Sequence, residues 1–105
     1  MNDVQKRIDD LVKGSRVVLF MKGTAQFTMC GFSGRAVQIL KACGVDDLTT
    51  VNVLEDDAVR QGIKSYANWP TIPQLYVNGE FVGGSDIMTE MYQAGELQQT
   101  LGTTA

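Results

Sequence analysis

The sequence predicts an α/β fold in which helices cover both faces of a four-stranded mixed sheet. A buried apolar run, a helical pattern and a second strand follow one another between residues 17 and 54, which is typical of a βαβ unit with parallel strands. Further along, Asn78-Gly79 separates two strand-like runs and is a strong signal for an antiparallel hairpin. A βαβ half and a ββα half therefore form one sheet.

The first half of the chain is assigned from the spacing of its apolar residues. Helical spacing from Val4 to Val12 predicts a helix over residues 3–13 that ends at Gly14. Val17 to Met21 is apolar and rich in β-formers, as in a strand buried on both faces. A polar loop over residues 22–29 follows, and a second amphipathic helix runs from Phe32 to its stop at Gly44.

The second half begins with Val51 and Val53, whose alternation with polar residues predicts a strand over Thr49 to Leu54. Apolar spacing then predicts a helix from about Asp56 to Asn68. The remaining predicted elements are strands over residues 74–77 and 80–82 and helical segments over residues 86–94 and 96–101.

Composition narrows the possible functions. The 105 residues fit a single domain, residues 1–105, with a short tail at 102–105, and a net charge of −3 makes nucleic acid a poor partner. The absence of histidine excludes Cys-His and Ser-His nucleophiles and His-ligated zinc. Residues 1–10 lack the apolar core of a signal peptide, and no run reaches the ~20 residues of a membrane span. We expect a cytoplasmic bacterial protein, with an organelle matrix as the second choice.

Cys30 is the strongest candidate for chemistry. It lies where a loop passes into a helix, and Ser33 occupies the position of the second cysteine in a redox dithiol, so no local disulfide can form. The helix N-terminus and Lys22 favour a thiolate, although a small buried hydrophobe is the alternative. Cys43 lies thirteen residues further along the same helix. It is about 20 Å away at ~1.5 Å per residue, and we expect it to serve in packing.

Three other segments suggest a ligand, although each has an ordinary structural explanation. The run Trp69 to Pro73 is a stiff loop, but a cis Ile72-Pro73 bond would turn the Ile72 backbone toward Cys30. Gly83-Gly84-Ser85-Asp86 is a turn with a helix cap, but it also provides a helix N-terminus for a carboxylate and Asp86 for an ammonium. Arg60 and Lys64 are surface charges or, beside Lys22, a site for a second carboxylate. These features describe a small zwitterionic peptide with a thiol, such as glutathione.

Four blocks of sequence resemble the signature blocks of the monothiol glutaredoxins. The resemblance extends from the first helix to Leu101 and is specific because all four blocks occur in the family's order. The blocks are Met21-Lys22-Gly23-Thr24, Cys30-Gly31-Phe32-Ser33, Trp69-Pro70-Thr71-Ile72-Pro73-Gln74-Leu75 and Gly83-Gly84-Ser85-Asp86-Ile87.

The resemblance implies a thioredoxin-like (glutaredoxin) fold and a set of glutathione contacts. By analogy with the family, two cations would meet the glycine carboxylate, two loop residues the cysteinyl backbone, and the start of the next helix the γ-glutamyl end, with Cys30 as the redox-active and metal-binding thiol. The implied residues are Lys22 and Arg60, then Thr71 and Ile72, then Ser85 and Asp86, with Phe32 and Gly84 completing the set.

The resemblance further implies a homodimeric holo form that carries a bridged 2Fe-2S cluster, and a monomer when the cluster is absent. The family stores or delivers clusters to acceptor apoproteins and acts in iron homeostasis, often with a BolA-like partner. Ligand counting agrees independently. A 2Fe-2S cluster takes about four thiolates, and one chain offers only Cys30, whereas two chains and two glutathione molecules supply four.

The chain departs from the family pattern in two places, and one competing function is an open alternative. Ala25 and Thr28 stand where the family often has proline, so we expect a less rigid loop and a more labile cluster. Ser85 stands where the family often has a second cysteine, which removes an internal disulfide route for Cys30.

The alternative function is a glutathione-dependent thiol-disulfide oxidoreductase acting through Cys30 alone. The longer loop before Cys30 resembles the cluster-carrying class and favours the carrier.

Overall fold

The computed structural model describes residues 2–102, so residues 103–105 of the predicted tail lie outside the described residues. Most predicted elements are confirmed, and their ends move by one or two residues. In chain order they are α1 (Asp3–Lys13), β1 (Val17–Met21), α2 (Gly31–Ala42), β2 (Leu48–Asn52), a 3₁₀ turn (Val53–Glu55), α3 (Asp57–Ala67), β3 (Gln74–Val77), β4 (Glu80–Gly83), α4 (Ser85–Gln93) and α5 (Glu96–Leu101).

The four strands form one mixed sheet in the order β2-β1-β3-β4. β1 and β2 are parallel, as predicted for the βαβ unit. β3 lies antiparallel to both β1 and β4. The β3-β4 hairpin turns at Asn78 and Gly79, which have φ angles of 53° and 81° and so adopt the left-handed conformation that this tight turn requires.

Helices cover both faces of the sheet, and every residue of β1 is therefore buried. Val17, Leu19 and Met21 face one side, where they pack with buried residues of α2, α4 and α5. Val18 and Phe20 face the other side and pack with buried residues of α1 and α3. This alternation confirms the predicted three-layer architecture. No helix in the described part of the chain has both the length and the apolarity to cross a membrane.

The predicted strand over Thr49 to Leu54 is wrong at its end. β2 stops at Asn52, and Val53 begins a 3₁₀ turn instead of continuing the alternation. The cause is the Asn52 side chain, whose Oδ1 accepts hydrogen bonds from the backbone N–H of Leu54 at 3.0 Å and of Gly23 at 2.9 Å. A local side-chain cap therefore competes with the strand and turns the chain. Val53 is still buried, which explains why its pattern looked like a strand.

The topology brings three segments to one end of the sheet. β1 ends there and passes into the loop before Cys30. Because β3 is antiparallel to β1, with Gln74 opposite Phe20, the loop before β3 starts from the same end. β4 returns to this end, with Gly83 opposite Leu75, and passes directly into α4. The predicted site residues lie on these segments.

Candidate functional site

Cys30 is the N-cap residue of α2, with an extended backbone at φ −158° and ψ 136°. Its side chain is partly exposed, and the neutral thiol makes no capping hydrogen bond. The first backbone N–H groups of the helix therefore remain available to a negative charge at the sulfur. This placement confirms the prediction that a loop-to-helix junction carries the thiol.

The surroundings lower the pKa of the Cys30 thiol. The largest cause is hydrogen bonding of the thiolate to the backbone N–H of Ser33. Partial burial opposes it, while the N–H of Phe32, the charge of Lys22 and the Ser33 hydroxyl add to the lowering. Cys30 is thus a partly exposed thiol whose ionised form is stabilised, which is the form that attacks disulfides and binds metals.

Ser33 has a structural role of its own. It is fully buried, and its hydroxyl accepts a hydrogen bond from the backbone N–H of Lys22 at 3.1 Å. The residue in the place of a dithiol's second cysteine therefore ties the end of β1 to the first turn of α2. Cys30 and Lys22 are held on neighbouring backbone segments as a result.

The loop between β1 and Cys30 is folded back on itself. Met29 N–H donates to Lys22 O at 2.9 Å, and Thr24 N–H donates to Phe27 O at 3.1 Å. Gly23 has φ of 93°, and a side chain there would place its Cβ 2.5 Å from Phe27 O. The tight return needs glycine at this position. It leaves Phe27 78% and Met29 68% exposed.

Cys43 lies at the other end of the same helix, as its C-cap residue. It is 7% exposed and packs in the core under α2. Burial raises the pKa of its thiol. The expectation that Cys43 serves in packing agrees with this position.

A cavity of about 380 Å³ lies beside Cys30. Segments from all three loops at this end of the sheet contribute to it, together with one side chain of α3. Every residue of the predicted glutathione set except Arg60 lines this cavity. The lining residues are Lys22, Cys30, Phe32, Lys64, Trp69, Pro70, Thr71, Ile72, Pro73, Gly84, Ser85, Asp86 and Ile87.

The cation that α3 contributes to the lining is Lys64, and Arg60 is not part of it. Both side chains are partly buried and lie one turn apart on α3. Their spacing indicated a shared side of the helix, but spacing alone did not fix which of them reaches the cavity. Four further residues of the lining, Trp69, Pro70, Pro73 and Ile87, were not among the predicted site residues, although the first three belong to the singled-out run Trp69 to Pro73.

The Ile72-Pro73 peptide bond is cis, which is the condition under which the sequence suggested that Ile72 turns its backbone toward Cys30. Ile72 is 8% exposed and anchors the loop in the core between α1 and α3, while Thr71 is exposed. One side of this short loop is therefore fixed in the interior, and its other side forms a wall of the cavity that contains Cys30.

The start of α4 forms another wall. Gly84 is the N-cap residue, and a Cβ there would lie 3.1 Å from Pro73 O, so the two backbones approach closely. Ser85 is 5% exposed, yet its Oγ has no hydrogen-bond partner. Buried hydroxyls are normally paired, and a ligand group at this helix N-terminus would supply the missing partner. Asp86 follows in the first turn and is exposed.

The cavity thus combines complementary groups for a small charged peptide. Lys22 and Lys64 carry positive charge, the N-terminus of α4 favours a carboxylate, and Asp86 favours an ammonium. Cys30 contributes a stabilised thiolate to the same space. In the part of the chain that the structure describes, no three His, Cys, Asp or Glu side chains group together as a metal site.

Comparisons with known proteins agree with this arrangement. The Glutaredoxin family profile matches residues 17–82. An uncharacterized monothiol glutaredoxin ycf64-like protein from Synechocystis is 59% identical over 94% of this chain and 92% of its own. The mitochondrial glutaredoxin-related protein 5 of Danio rerio is 56% identical over 92% of this chain and 63% of its own. The solution structure of reduced poplar apo GrxS14 superposes with a TM-score of 0.82 at 49% identity, covering 94% of this chain and 90% of the other.

We expected a cytoplasmic bacterial location, with an organelle matrix as second choice. The comparisons contradict this expectation. Relatives of similar identity come from mitochondria and chloroplasts as well as from bacteria. Targeting segments lie outside a folded domain, and this domain is similar in relatives from each of these compartments. The sequence of the domain therefore does not determine where it works.

Proposed function

The chain belongs to the glutaredoxin family and to its monothiol class, and from this premise we propose that it binds glutathione beside Cys30 and, as a homodimer, carries a bridged 2Fe-2S cluster. The observation that supports the proposal is the single cavity that joins a stabilised thiolate, two cations and the N-terminus of α4 with an unpartnered Ser85 hydroxyl. Glutathione has one thiol, two carboxylates and one ammonium to match these groups.

Glutathione would be held by groups on three segments. Lys22 and Lys64 would attract its glycine carboxylate, with Arg60, from the predicted set, one turn away on α3. The Thr71 and Ile72 segment would pair with the cysteinyl backbone. The remaining contacts are those of the γ-glutamyl end with Gly84, Ser85 and Asp86, and of the thiol region with Phe32.

The residues present fit a cluster if other molecules complete its ligand set. Cys30 supplies one thiolate, and Cys43 is buried at the far end of α2. A 2Fe-2S cluster takes about four thiolates, so two copies of Cys30 and two glutathione thiolates would supply them. When bound, such a cluster supplies cargo for transfer and a redox-active iron centre. The chain itself positions one thiolate and orients one glutathione.

The surface around Cys30 supports docking of a second protein. Phe27, Met29 and Phe32 are 78%, 68% and 59% exposed, and they lie within three residues of Cys30 in the sequence. Large apolar side chains grouped on a surface mark interaction sites. We therefore assign this surface first to a second copy of the chain in the cluster-bound form, with a monomer when apo, and then to acceptor apoproteins and a BolA-like partner in iron homeostasis.

Anaerobic reconstitution with iron, sulfide and glutathione tests the proposal. The expected result is visible absorption from the cluster, together with elution as a dimer on gel filtration. Cys30→Ser should remove the colour and the dimer, whereas Cys43→Ala should keep both, because only Cys30 lies at the cavity. A colourless monomer from the unaltered chain would reject the cluster carrier, and equal loss in both variants would place Cys43 at the site.

The second candidate function, glutathione-dependent disulfide exchange, is favoured by the lowered pKa of Cys30. The Cys30 thiolate would attack the glutathione sulfur of a mixed disulfide, form a Cys30-glutathione disulfide and release the substrate as a thiolate that takes up a proton. A second glutathione thiolate would then attack, leaving oxidised glutathione and the Cys30 thiolate. Turnover of a glutathionylated peptide by a protein that assembles no cluster would make this the main function.

A further inference from the structure

Gln74, the first residue of β3, is a fully buried polar side chain. Its Nε2 donates to the carbonyl oxygens of Trp69 at 3.2 Å and Thr71 at 3.1 Å. Its Oε1 accepts from the Tyr76 hydroxyl at 2.9 Å. Both amide hydrogens are used. Because a carbonyl oxygen can only accept, the amide nitrogen must face the loop before β3.

That loop has few other hydrogen bonds to hold it. Pro70 and Pro73 have no N–H, and among residues 2–102 no backbone-to-backbone hydrogen bond outside the helices and strands involves residues 70–73. Burying a polar side chain costs free energy that its hydrogen bonds only offset, so packing alone does not require a glutamine at this position. The bonds of Gln74 therefore point to a role for the loop beyond packing.

The amide is itself held from behind by a rigid donor. Tyr76 is 1% exposed, and its ring centroid lies 5.7, 5.9 and 5.4 Å from those of Phe20, Tyr66 and Phe81. Burial raises the pKa of Tyr76, which keeps its hydroxyl protonated and able to donate. Packed rings fix the hydroxyl, the hydroxyl fixes the Gln74 oxygen, and the nitrogen is thereby aimed at the loop.

We propose that Gln74 is a positioning residue for ligand binding. Through the carbonyls of Trp69 and Thr71 it holds the loop so that Thr71 and Ile72 present their free groups to the cavity beside Cys30. The inference rests on the proposed binding of glutathione and adds a buried determinant that makes no contact with the ligand. Turning two carbonyls inward leaves the outward side of the loop for the ligand's backbone.

The test measures the affinity for glutathione in Gln74→Met, which keeps the length of the side chain and removes its donors. Trp69 is the single tryptophan of the chain and lines the cavity, so its fluorescence reports both binding and loop position. We expect binding about tenfold weaker, the effect of about 1.4 kcal/mol. Trp69 in the free variant should also become more accessible to iodide quenching.

Tyr66→Phe is the matched control. It removes a hydroxyl from the same aromatic cluster, where Tyr66 donates to Asp9 at 2.6 Å, without touching the loop. As a single variant, Tyr76→Phe should weaken glutathione binding about threefold. Added to Gln74→Met it should have no further effect, because contacts in one network are not additive. Tyr66→Phe should leave the affinity unchanged in both backgrounds.

The outcomes separate this inference from the proposed function. If the unaltered chain does not bind glutathione, the proposed function fails first. If it binds and Gln74→Met binds equally well, the positioning role is overturned. Equal weakening by Tyr66→Phe would also overturn it, because the effect would then be a general loss of packing. Should Gln74→Met not fold, Tyr76→Phe decides alone, and unchanged binding in that variant rejects the inference.

Discussion

The two cysteines of this chain lie at the two ends of one helix and have opposite properties. Cys30 is the N-cap residue of α2, partly exposed, and its pKa is lowered mainly by the backbone N–H of Ser33. Cys43 is the C-cap residue, buried, and its pKa is raised by that burial. The residue type is the same, so the difference comes from position.

The comparison shows how a helix assigns roles to its thiols. Free N–H groups at the start of a helix stabilise a negative sulfur, whereas free carbonyls at its end do not. The two ends also differ in accessibility. The start of α2 opens onto the cavity, whereas its end packs against the core.

The largest expected difference is the rate of alkylation. At neutral pH we expect iodoacetamide to modify Cys30 at least about 100-fold faster than Cys43, because the reactive species is the thiolate and Cys43 reacts only after local opening. Arg35 and Lys41 separate the two cysteines, so tryptic peptides analysed by mass spectrometry after timed exposure measure the two rates in one sample.

The pH dependence of the same reaction has a defined sign. A lowered pKa means that Cys30 is already thiolate at pH values where an ordinary cysteine is still protonated. The Cys30 rate should therefore reach half of its plateau at a lower pH than the rate of an unstructured cysteine peptide. The Cys43 rate should still be rising at pH values above the midpoint of that peptide. Similar midpoints for the two residues would remove the contrast between the ends of α2.

The next effect concerns two glycines with positive φ, Gly23 in the loop before Cys30 and Gly44 directly after Cys43. Gly23 has φ of 93° and no room for a Cβ, whereas Gly44 has φ of 77° and nothing within 4 Å of one. Gly44→Ala should lower the free energy of unfolding by about 1 kcal/mol, the cost of a left-handed alanine. Gly23→Ala adds a clash with Phe27 O and Met29 N, and should cost more than about 2 kcal/mol.

Urea unfolding measures the free energy of unfolding of both glycine variants. The alkylation rates of Cys30 and Cys43 show which part of the structure each substitution changes. In Gly23→Ala the loop that precedes Cys30 must move, so the Cys30 alkylation rate should change. In Gly44→Ala both rates should stay as in the unaltered chain. Equal losses of stability in the two variants would show that the loop at Gly23 relaxes without resistance.

The sequence allowed most of this comparison to be predicted, for identifiable reasons. Val17 to Met21 and the Asn78-Gly79 turn have strong local signals, and the structure confirms them. The positions of Cys30 and Cys43 at opposite ends of one helix followed from their spacing, and the structure confirms these positions. The end of β2 was missed because Asn52 Oδ1 accepts from Leu54 N in a local cap and also from Gly23 N, a long-range bond that apolar spacing does not reveal.

The cavity shows the same division. Residues in continuous motifs, such as Thr71, Ile72 and Ser85, were correctly brought to the thiol. The choice between Arg60 and Lys64 depends on the rotation of α3 against the sheet, which spacing along one helix does not define. The role inferred for Gln74 was also hidden, because its bonds join residues in the loop to a ring buried between other elements.

The smallest expected effect separates charge from helix geometry at Cys30. Lys22 contributes to the lowered pKa of Cys30, but the N–H of Ser33 contributes more. Lys22→Gln should therefore slow alkylation of Cys30 at neutral pH by only about two- to fivefold, as befits an interaction with a partly exposed charge of up to about 1 kcal/mol. Lys41→Gln removes the same charge from the exposed last turn of α2 and should leave the Cys30 rate unchanged. The measurement is the iodoacetamide rate in a Cys43→Ala background at two salt concentrations. The difference between the lysine variants should shrink at high salt because surface charges are screened. A loss of tenfold or more in Lys22→Gln would instead make the lysine, rather than the helix N-terminus, the main source of thiolate stability.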